Sequence, residues 1–188
     1  KNRLLSIAQI GSGYWGPNVA NSFHATEKAS VNWICDLDPK ARDAFCRRHP
    51  HAQATDRLDD VLRDDTIQAV AIVTPTETHY DITKAALLAG KHALVEKPIT
   101  TNSDHARELA TLAENQGLIL MVGHVFQYNS SIHALKELIV SGELGEINYI
   151  SLERTNLGPI RTDVSALWDL VSHDAYIMAD LLQEVPSQ

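Results

Sequence analysis

Gly11, Gly13 and Gly16 form a G-x-G-x-x-G pattern directly after an apolar run. Between a strand and a helix, the first glycine of this pattern permits a tight turn, the second lets a pyrophosphate approach the backbone, and the third permits close helix packing. Asp36 stands twenty positions after Gly16, where a carboxylate can accept hydrogen bonds from the adenosine ribose hydroxyls. These four residues predict a dinucleotide site, and the alternative for the glycines is a plain turn that binds no ligand.

The carboxylate of Asp36 also predicts which dinucleotide is bound. A 2′-phosphate at this point would meet a negative charge, and no arginine is expected beside Asp36 to receive it, so NAD is favoured over NADP. The alternative role for Asp36 is the N-cap of the following helix, which Asp38 would fill equally well.

Strands and helices alternate around these residues, which sets the fold that must position them. Apolar segments without a helical stripe predict strands over residues 4–10, 31–35, 69–73, 93–95 and 118–122. Helical segments of about 10 to 15 residues separate most of them, and Gly90 and Gly117 are expected to end two of these helices. This alternation predicts a Rossmann-type, doubly wound parallel sheet with right-handed crossovers over residues 1–123.

The pattern changes after Gly123. A helix is predicted from Asn129 to Val140, a half-exposed strand over 146–154 and another helix over 168–182. We therefore predict an NAD-binding domain over residues 1–123 and the start of a substrate-binding and oligomerisation α+β domain over 124–188. Because the second part is too short to close a layered domain, we expect the chain to belong to a longer protein.

Composition excludes several classes of partner. The net charge of −8 repels nucleic acid and anionic membrane surfaces, and no apolar run approaches the length of a membrane span. Cys35 and Cys46 are too few and too isolated for a disulfide framework or a metal site, and we interpret both as small core residues. With no signal-peptide pattern at the start of the chain, a cytoplasmic protein is expected.

Five longer motifs occur in the chain. They are Thr74-Pro75-Thr76-Glu77-Thr78-His79, Ala89-Gly90-Lys91-His92, Glu96-Lys97-Pro98, Gly123-His124-Val125-Phe126-Gln127-Tyr128-Asn129 and Trp168-Asp169-Leu170-Val171-Ser172-His173-Asp174. Their combination resembles the Gfo/Idh/MocA (glucose-fructose oxidoreductase/inositol dehydrogenase) family over essentially the whole chain. Within that family the segments 13–18 and 167–174 are most similar to nucleotide-sugar dehydrogenases, such as UDP-N-acetylglucosaminuronate 3-dehydrogenases.

The resemblance implies that Lys97 lies where the nicotinamide meets the sugar, with its ammonium group on the reacting hydroxyl. Independently, a Lys-Pro pair beyond the carboxyl end of a strand can place a cation where ligands of open α/β sheets bind. The resemblance also implies that His173 is the general base and that Asp169 either orients it or holds a substrate hydroxyl. The alternative for Lys97 is an ordinary surface lysine after a strand, and the alternative for His173 is a buried or helix-capping histidine without a catalytic role.

Further contacts follow from the same resemblance. Besides Gly11, Gly13, Gly16 and Asp36, the implied cofactor-binding residues are Tyr14, Trp15, Thr74, Pro75, His79, Glu96 and Lys97. The substrate candidates are Tyr128, Asn129, Asn156 and Arg161. Arg161 could bind a carboxylate or diphosphate, although an ordinary loop arginine is an equal alternative. Gln127 stands where many family members have an arginine, so the contacts made by that arginine are not carried over. Ser172 stands where a proline is often found, which alters the start of the helix more than the chemistry.

The expected reaction is the NAD-dependent transfer of hydride from a sugar or nucleotide-sugar C–H, with the protein orienting the reactants. The full-length protein is expected to form a homo-oligomer. Two alternatives stay open. One is a dinucleotide-binding sensor or scaffold without turnover, and the other is a family member that acts on free sugars, inositol or biliverdin.

Overall fold

A computed structural model describes residues 4–155 and 164–184 of the chain. The strands in these ranges are β1 (Leu5–Ile10), β2 (Ala29–Cys35), β3 (Gln53–Thr55), β4 (Ala69–Ile72), β5 (His92–Val95) and β6 (Leu120–Val122). The helices are α1 (Gly16–Ala25), α2 (Pro39–Arg48), α3 (Leu58–Leu62), α4 (His79–Leu88), α5 (Ser103–Gln116), α6 (Ser130–Val140) and α7 (Ser172–Leu182). Short 3₁₀ turns cover Thr76–Thr78 and Val125–Tyr128, and a π-helical turn covers Leu167–Val171.

The six strands form one sheet in the order β3-β2-β1-β4-β5-β6, and all their pairings are parallel. The order reverses between β1 and β4, where open α/β sheets bind ligands beyond the carboxyl ends of their strands. The predicted doubly wound parallel sheet is confirmed. The short strand β3 and the helix α3 were not predicted, because two of the three residues of β3 are exposed and the strand has no apolar pattern.

Both faces of the sheet are covered by apolar residues. One cluster is built around Ile10, Ile72, Leu87 and Leu109, and the other around Ile7, Val31, Ile34 and Phe45. Because strands buried on both faces are apolar along their length, β1 and β4 show no alternation in sequence. Cys35 belongs to the first cluster and Cys46 packs against the second. Burial raises the pKa of the Cys35 thiol to about 11.

Side-chain caps define where several helices begin. The side chain of Asp38 accepts the backbone N–H of Lys40 at the start of α2, and Asn102 accepts that of Asp104 at the start of α5. Helix α5 ends at Gly117, which has φ +65° and so adopts a left-handed conformation that glycine tolerates best. Gly117 is thus confirmed as the residue that ends a helix.

The chain divides into two compact units, residues 1–123 and 124–188. In the described part of the second unit, α6 begins at its cap Asn129, and the helical segment that ends in α7 begins with the π-helical turn. The strand predicted over 146–154 is wrong. This segment pairs with no strand among the described residues, and an extended segment without a partner has no ladder of hydrogen bonds to hold it.

Among the helices of the described ranges, none is both long and apolar enough to span a membrane.

Candidate NAD-binding site

The glycine turn contacts the ends of two strands next to β1. The N–H of Gly11 donates to the carbonyl of Cys35 at 2.8 Å, and Val73, just beyond β4, donates its N–H to the Ile10 carbonyl at 2.8 Å. Gly11 has φ +90°, and a Cβ built on it would lie 2.6 Å from the Val73 carbonyl oxygen. No other residue fits this position without moving β4, which explains the first glycine of the pattern.

The other two glycines have different surroundings. A Cβ on Gly16 would lie 2.8 Å from Nε2 of Gln9 and 3.2 Å from the Gly11 carbonyl oxygen, so the third glycine permits close packing of α1. A Cβ on Gly13 would meet no described atom within 4 Å. The space above Gly13 is therefore open in the protein itself, as close approach of a ligand requires.

Gln9 supports this turn from below and was not found from the sequence. Its side chain is fully buried, and Nε2 donates a hydrogen bond of 2.8 Å to the Gly11 carbonyl oxygen. Its Oε1 is buried with no partner among the described residues. A glutamine inside an apolar strand is the one sequence signal that could have indicated this role.

Asp36 lies at the end of β2 against the glycine turn. Its Oδ2 accepts the N–H of Ser12 at 2.6 Å, and its Oδ1 accepts the N–H of Asp38 at 2.9 Å. Asp38, and not Asp36, is the N-cap of α2, so the capping alternative for Asp36 is excluded. Each carboxylate oxygen keeps a further lone pair for a ribose hydroxyl.

An arginine lies beside Asp36, which corrects the expectation that none would. The guanidinium of Arg42 donates from Nη1 to the Asp36 carbonyl at 2.6 Å and to the Leu37 carbonyl at 3.2 Å. Arg42 is six residues further along the chain, and only the turn into α2 brings it back. The argument against a 2′-phosphate therefore rests on the Asp36 carboxylate alone.

His79 occupies a different place from the one predicted. It is 1% exposed, and its ring nitrogens lie 2.8 Å from the Pro98 carbonyl oxygen and 2.9 Å from the Thr74 carbonyl oxygen. A ring so buried offers no surface to a cofactor, so the predicted direct contact is replaced by a structural one. His79 joins the turn after β4 to the turn after β5.

The turn after β5 contains Glu96, Lys97 and Pro98, with a cis peptide bond between the last two. The N–H of Glu96 donates to the carbonyl of Ile72 in β4 at 3.0 Å, which connects this turn to the neighbouring strand. Burial raises the pKa of Glu96, and the N–H and charge of Lys97 and the side chain of Trp15 oppose that rise. A Cβ on Gly123 would lie 2.9 Å from Glu96 Oε1, so Gly123 leaves room for this carboxylate.

The remaining cofactor candidates lie around the same turns. Thr74 accepts a hydrogen bond from the Thr78 hydroxyl at 2.8 Å, and its Cγ2 would be 3.0 Å from a Cβ on Gly11. Pro75 and Tyr14 are exposed, Tyr14 to 83%. The first unit thus gathers the glycine turn, Asp36 and the Glu96 turn at the carboxyl edge of the sheet, and their donor groups and open space fit a dinucleotide.

The other site candidates belong to the second unit. Asp169 lies in the π-helical turn, and His173, which is 9% exposed, lies at the start of α7, so the chain is helical through both. Tyr128 is 64% exposed. Asn129 caps α6, where its side-chain oxygen accepts the N–H groups of Ser131 and Ile132, so that oxygen is not available to a substrate.

Asn156 and Arg161 lie outside the described residues. Within the described ranges, no group of three or more His, Cys, Asp or Glu residues is arranged to hold a metal ion.

The chain is similar to known oxidoreductases. A model of the oxidoreductase family with an NAD-binding Rossmann fold matches residues 5–124. The chain is 31% identical over 168 residues to the UDP-N-acetylglucosamine 3-dehydrogenase of Acidithiobacillus ferrooxidans, a match that covers 88% of this chain and 50% of that protein. It is also 31% identical over 122 residues to the scyllo-inositol 2-dehydrogenase (NADP(+)) IolW of Bacillus subtilis, covering 65% and 33%.

A solved structure shows the same architecture with cofactor. GenD2 from gentamicin A biosynthesis in complex with NAD superimposes with a TM-score of 0.84 at 28% identity, over 96% of this chain and 54% of that one. The chain thus spans about half the length of GenD2 and half or less of the length of both curated relatives. Since the family match covers more than half of the chain and coincides with the glycine turn, Asp36 and Lys97, the chain belongs to the Gfo/Idh/MocA oxidoreductase family and carries its NAD-binding Rossmann domain.

Proposed function

We propose that the protein containing this chain is an NAD-dependent dehydrogenase that oxidises a secondary hydroxyl of a sugar or nucleotide-sugar. The observation that carries the proposal is that the glycine turn after β1 and the Glu96 turn after β5 follow the carboxyl ends of strands in one parallel sheet, with only β4 between them. This places Lys97 at the edge of the sheet where the cofactor is proposed to bind. The names of the relatives support a cyclic polyol or sugar as substrate, and one of them is a nucleotide-sugar dehydrogenase.

The bound nicotinamide supplies the hydride acceptor for this reaction. Lys97 donates a hydrogen bond to the reacting oxygen and stabilises the negative charge that develops on it. His173 accepts the hydroxyl proton, and Asp169 either orients that imidazole or binds a neighbouring hydroxyl. The carbonyl product then forms as the C–H bond breaks, with the hydride and the proton leaving to different acceptors.

The remaining candidates complete the proposed binding sites. Asp36 binds the adenosine ribose, the N–H groups at the start of α1 bind the pyrophosphate, and Tyr14, Trp15, Thr74, Pro75 and Glu96 surround the cofactor. Arg161 is the substrate contact we favour, and Tyr128, Asn156 and the amide group of Asn129 are further candidates. The preference for NAD over NADP is also part of the proposal. It needs its own test, because Arg42 lies beside Asp36 and a guanidinium could bind the 2′-phosphate of NADP.

A substrate panel tests the proposal. The protein is incubated with NAD⁺ and, in separate reactions, UDP-N-acetylglucosaminuronate, UDP-N-acetylglucosamine, scyllo-inositol and unmodified hexoses, and the absorbance of reduced nicotinamide is followed. Turnover with the nucleotide-sugars supports the full proposal, whereas turnover only with inositol or hexoses overturns the nucleotide-sugar assignment. Tight NAD binding with no turnover on any of them would contradict the dehydrogenase and favour the sensor or scaffold alternative.

The proposed homo-oligomer is tested by light scattering coupled to size-exclusion chromatography. A monomeric mass for the full-length protein at micromolar concentration would contradict it.

A further inference from the structure

Three side chains of the second unit form a cluster beside His173, namely Phe126, Arg154 and Asp174. The sequence indicated no role for Arg154 or Phe126. The ring of Phe126 lies with its centroid 5.0 Å from that of His173, at an interplanar angle of 77°. This is an edge-to-face arrangement, which aromatic pairs prefer to direct stacking. Phe126 belongs to the 3₁₀ turn Val125–Tyr128, so it approaches the helix from a separate element.

Arg154 contacts the same phenylalanine. Its Cζ lies 5.1 Å from the Phe126 ring centroid, a distance at which a guanidinium is attracted to an aromatic face. The position of the Phe126 ring is therefore limited by both Arg154 and His173.

Asp174 fixes the arginine in turn. The Nε and Nη2 atoms of Arg154 both lie 2.7 Å from Oδ1 of Asp174. The two side chains are only 26% and 13% exposed, so the pair is sheltered from the solvent that weakens surface ion pairs. Asp174 directly follows His173 in α7, so Arg154 is connected to the histidine both through the helix backbone and through Phe126.

We propose that Arg154, Phe126 and Asp174 form a clamp that sets the ring orientation of His173. This rests on the proposed function for its catalytic consequence, since a general base must be aligned with the proton it accepts. Arg154 acts in it as a positioning residue. A planar guanidinium suits the task because it can stack on a ring and form an ion pair at once, which a lysine ammonium cannot do in the same geometry.

The chain provides a matched control in a second ion pair on α7. Lys136 Nζ lies 2.8 Å from Asp180 Oδ1, and these side chains are 29% and 19% exposed, so the pair is similar in length and shelter. Asp180 is seven residues beyond His173, about 10 Å along the helix. Breaking this pair removes a comparable contact from the same helix at a distance from the clamp.

The test compares Arg154→Met, Arg154→Lys, Phe126→Leu and Lys136→Met in the full-length protein. Nuclear magnetic resonance follows the imidazole protons of His173, whose signals we expect the ring current of Phe126 to displace, because the two ring centroids are 5.0 Å apart. Phe126→Leu defines the signal without that ring. We expect Arg154→Met to move the His173 signals toward that reference, Arg154→Lys to move them partly, and Lys136→Met to leave them in place.

Steady-state kinetics gives the functional part of the test. We expect Arg154→Met to lower kcat by about tenfold or more with little change in KM, whereas Lys136→Met should keep both values. The clamp would be overturned by unchanged His173 signals in Arg154→Met, or by equal losses of kcat in Arg154→Met and Lys136→Met. If the unsubstituted enzyme turned over no sugar at all, the proposed function would fail, but the magnetic resonance comparison would still decide the clamp.

Discussion

Gln9 and Gly16 are matched to each other across the glycine turn. A Cβ on Gly16 would lie 2.8 Å from Nε2 of Gln9, the same nitrogen that holds the Gly11 carbonyl oxygen. The size of residue 16 is therefore limited by the side chain at position 9, as well as by the packing of α1 on the sheet.

This relationship predicts a coupled pair of substitutions. Gly16→Ala alone should lower both the melting temperature and the affinity for NAD, because the methyl group displaces Gln9 from Gly11. When Gln9 is already alanine, Gly16→Ala should lower the stability by less, with a coupling free energy of about 1 kcal/mol between the two substitutions. Thermal unfolding and isothermal titration with NAD are measured for the unsubstituted protein, the two single variants and the double variant. Strictly additive losses would show that Gln9 does not limit position 16.

Gly11 and Gly13 should respond differently to alanine. Gly11→Ala is expected to destabilise the fold, since its Cβ would approach the Val73 carbonyl oxygen at a φ of +90°. Gly13→Ala should change the free energy of unfolding by no more than about 0.5 kcal/mol, because the new methyl group meets no described atom within 4 Å. Its affinity for NAD should nevertheless fall by about tenfold, since the methyl group occupies the ligand's space. Urea unfolding and NAD titration separate the two effects, and unchanged affinity in Gly13→Ala would place the pyrophosphate elsewhere.

Asp36 and Arg42 should determine the choice of dinucleotide. Asp36→Ser is expected to weaken NAD binding by about tenfold through loss of a charged acceptor, and to strengthen NADP binding because Arg42 then meets the 2′-phosphate without a competing carboxylate. Titration of each variant with both dinucleotides measures the preference. Adding Arg42→Met to Asp36→Ser should abolish the gain for NADP. A gain that survives the second substitution would exclude Arg42 as the phosphate ligand.

Lys97→Ala should separate catalysis from cofactor binding. Removal of the ammonium group is expected to lower kcat by roughly 10²–10³-fold, the usual cost of losing one donor to a developing negative charge. The affinity for NAD should stay within about threefold, a loss below 1 kcal/mol. Lys84→Ala is the matched control and should keep the normal kcat, since Lys84 in α4 forms its ion pair with Glu108 in α5, away from the turns of the candidate site. A near-normal rate in Lys97→Ala would remove this residue from the mechanism.

A group of three histidines should make the stability depend on pH. The rings of His24 and His49 are stacked at 4.6 Å, and His51 lies edge-on to His24 at 5.6 Å. Burial, together with the neighbouring rings, lowers the pKa of His24 and His49, so their neutral forms are favoured in the fold. As the pH falls below about 6.5, the unfolded chain takes up protons first and stability falls.

The urea midpoint is therefore expected to be lower at pH 5.5 than at pH 7.5, and His49→Gln should reduce that difference. His133→Gln, at an exposed position on α6, is the control and should leave the difference unchanged. A difference of the same size in all three proteins would mean that other groups cause the pH dependence.

Local patterns in the chain predicted most of the first unit. Apolar runs and helix-ending glycines such as Gly117 act through neighbouring residues, so they can be recognised without knowing the fold. The G-x-G-x-x-G spacing and Asp36 are equally local, because the strand, turn and helix that position them are consecutive. Strand β3 escaped prediction because its place depends on pairing with β2, and the strand expected over 146–154 was wrong because alternation alone does not supply a partner.

The order of residues along the chain was therefore sufficient to predict the parallel sheet, the glycine turn and NAD as the cofactor. Contacts between residues far apart in sequence required the tertiary structure. Only the folded chain shows that His79 is enclosed between two carbonyl groups, that Arg42 returns to Asp36, and that Arg154 lies on Phe126. The physical reason is that burial and hydrogen bonding depend on which surfaces meet, and the packing of whole elements decides this, whereas turns and caps depend on the backbone of a few adjacent residues.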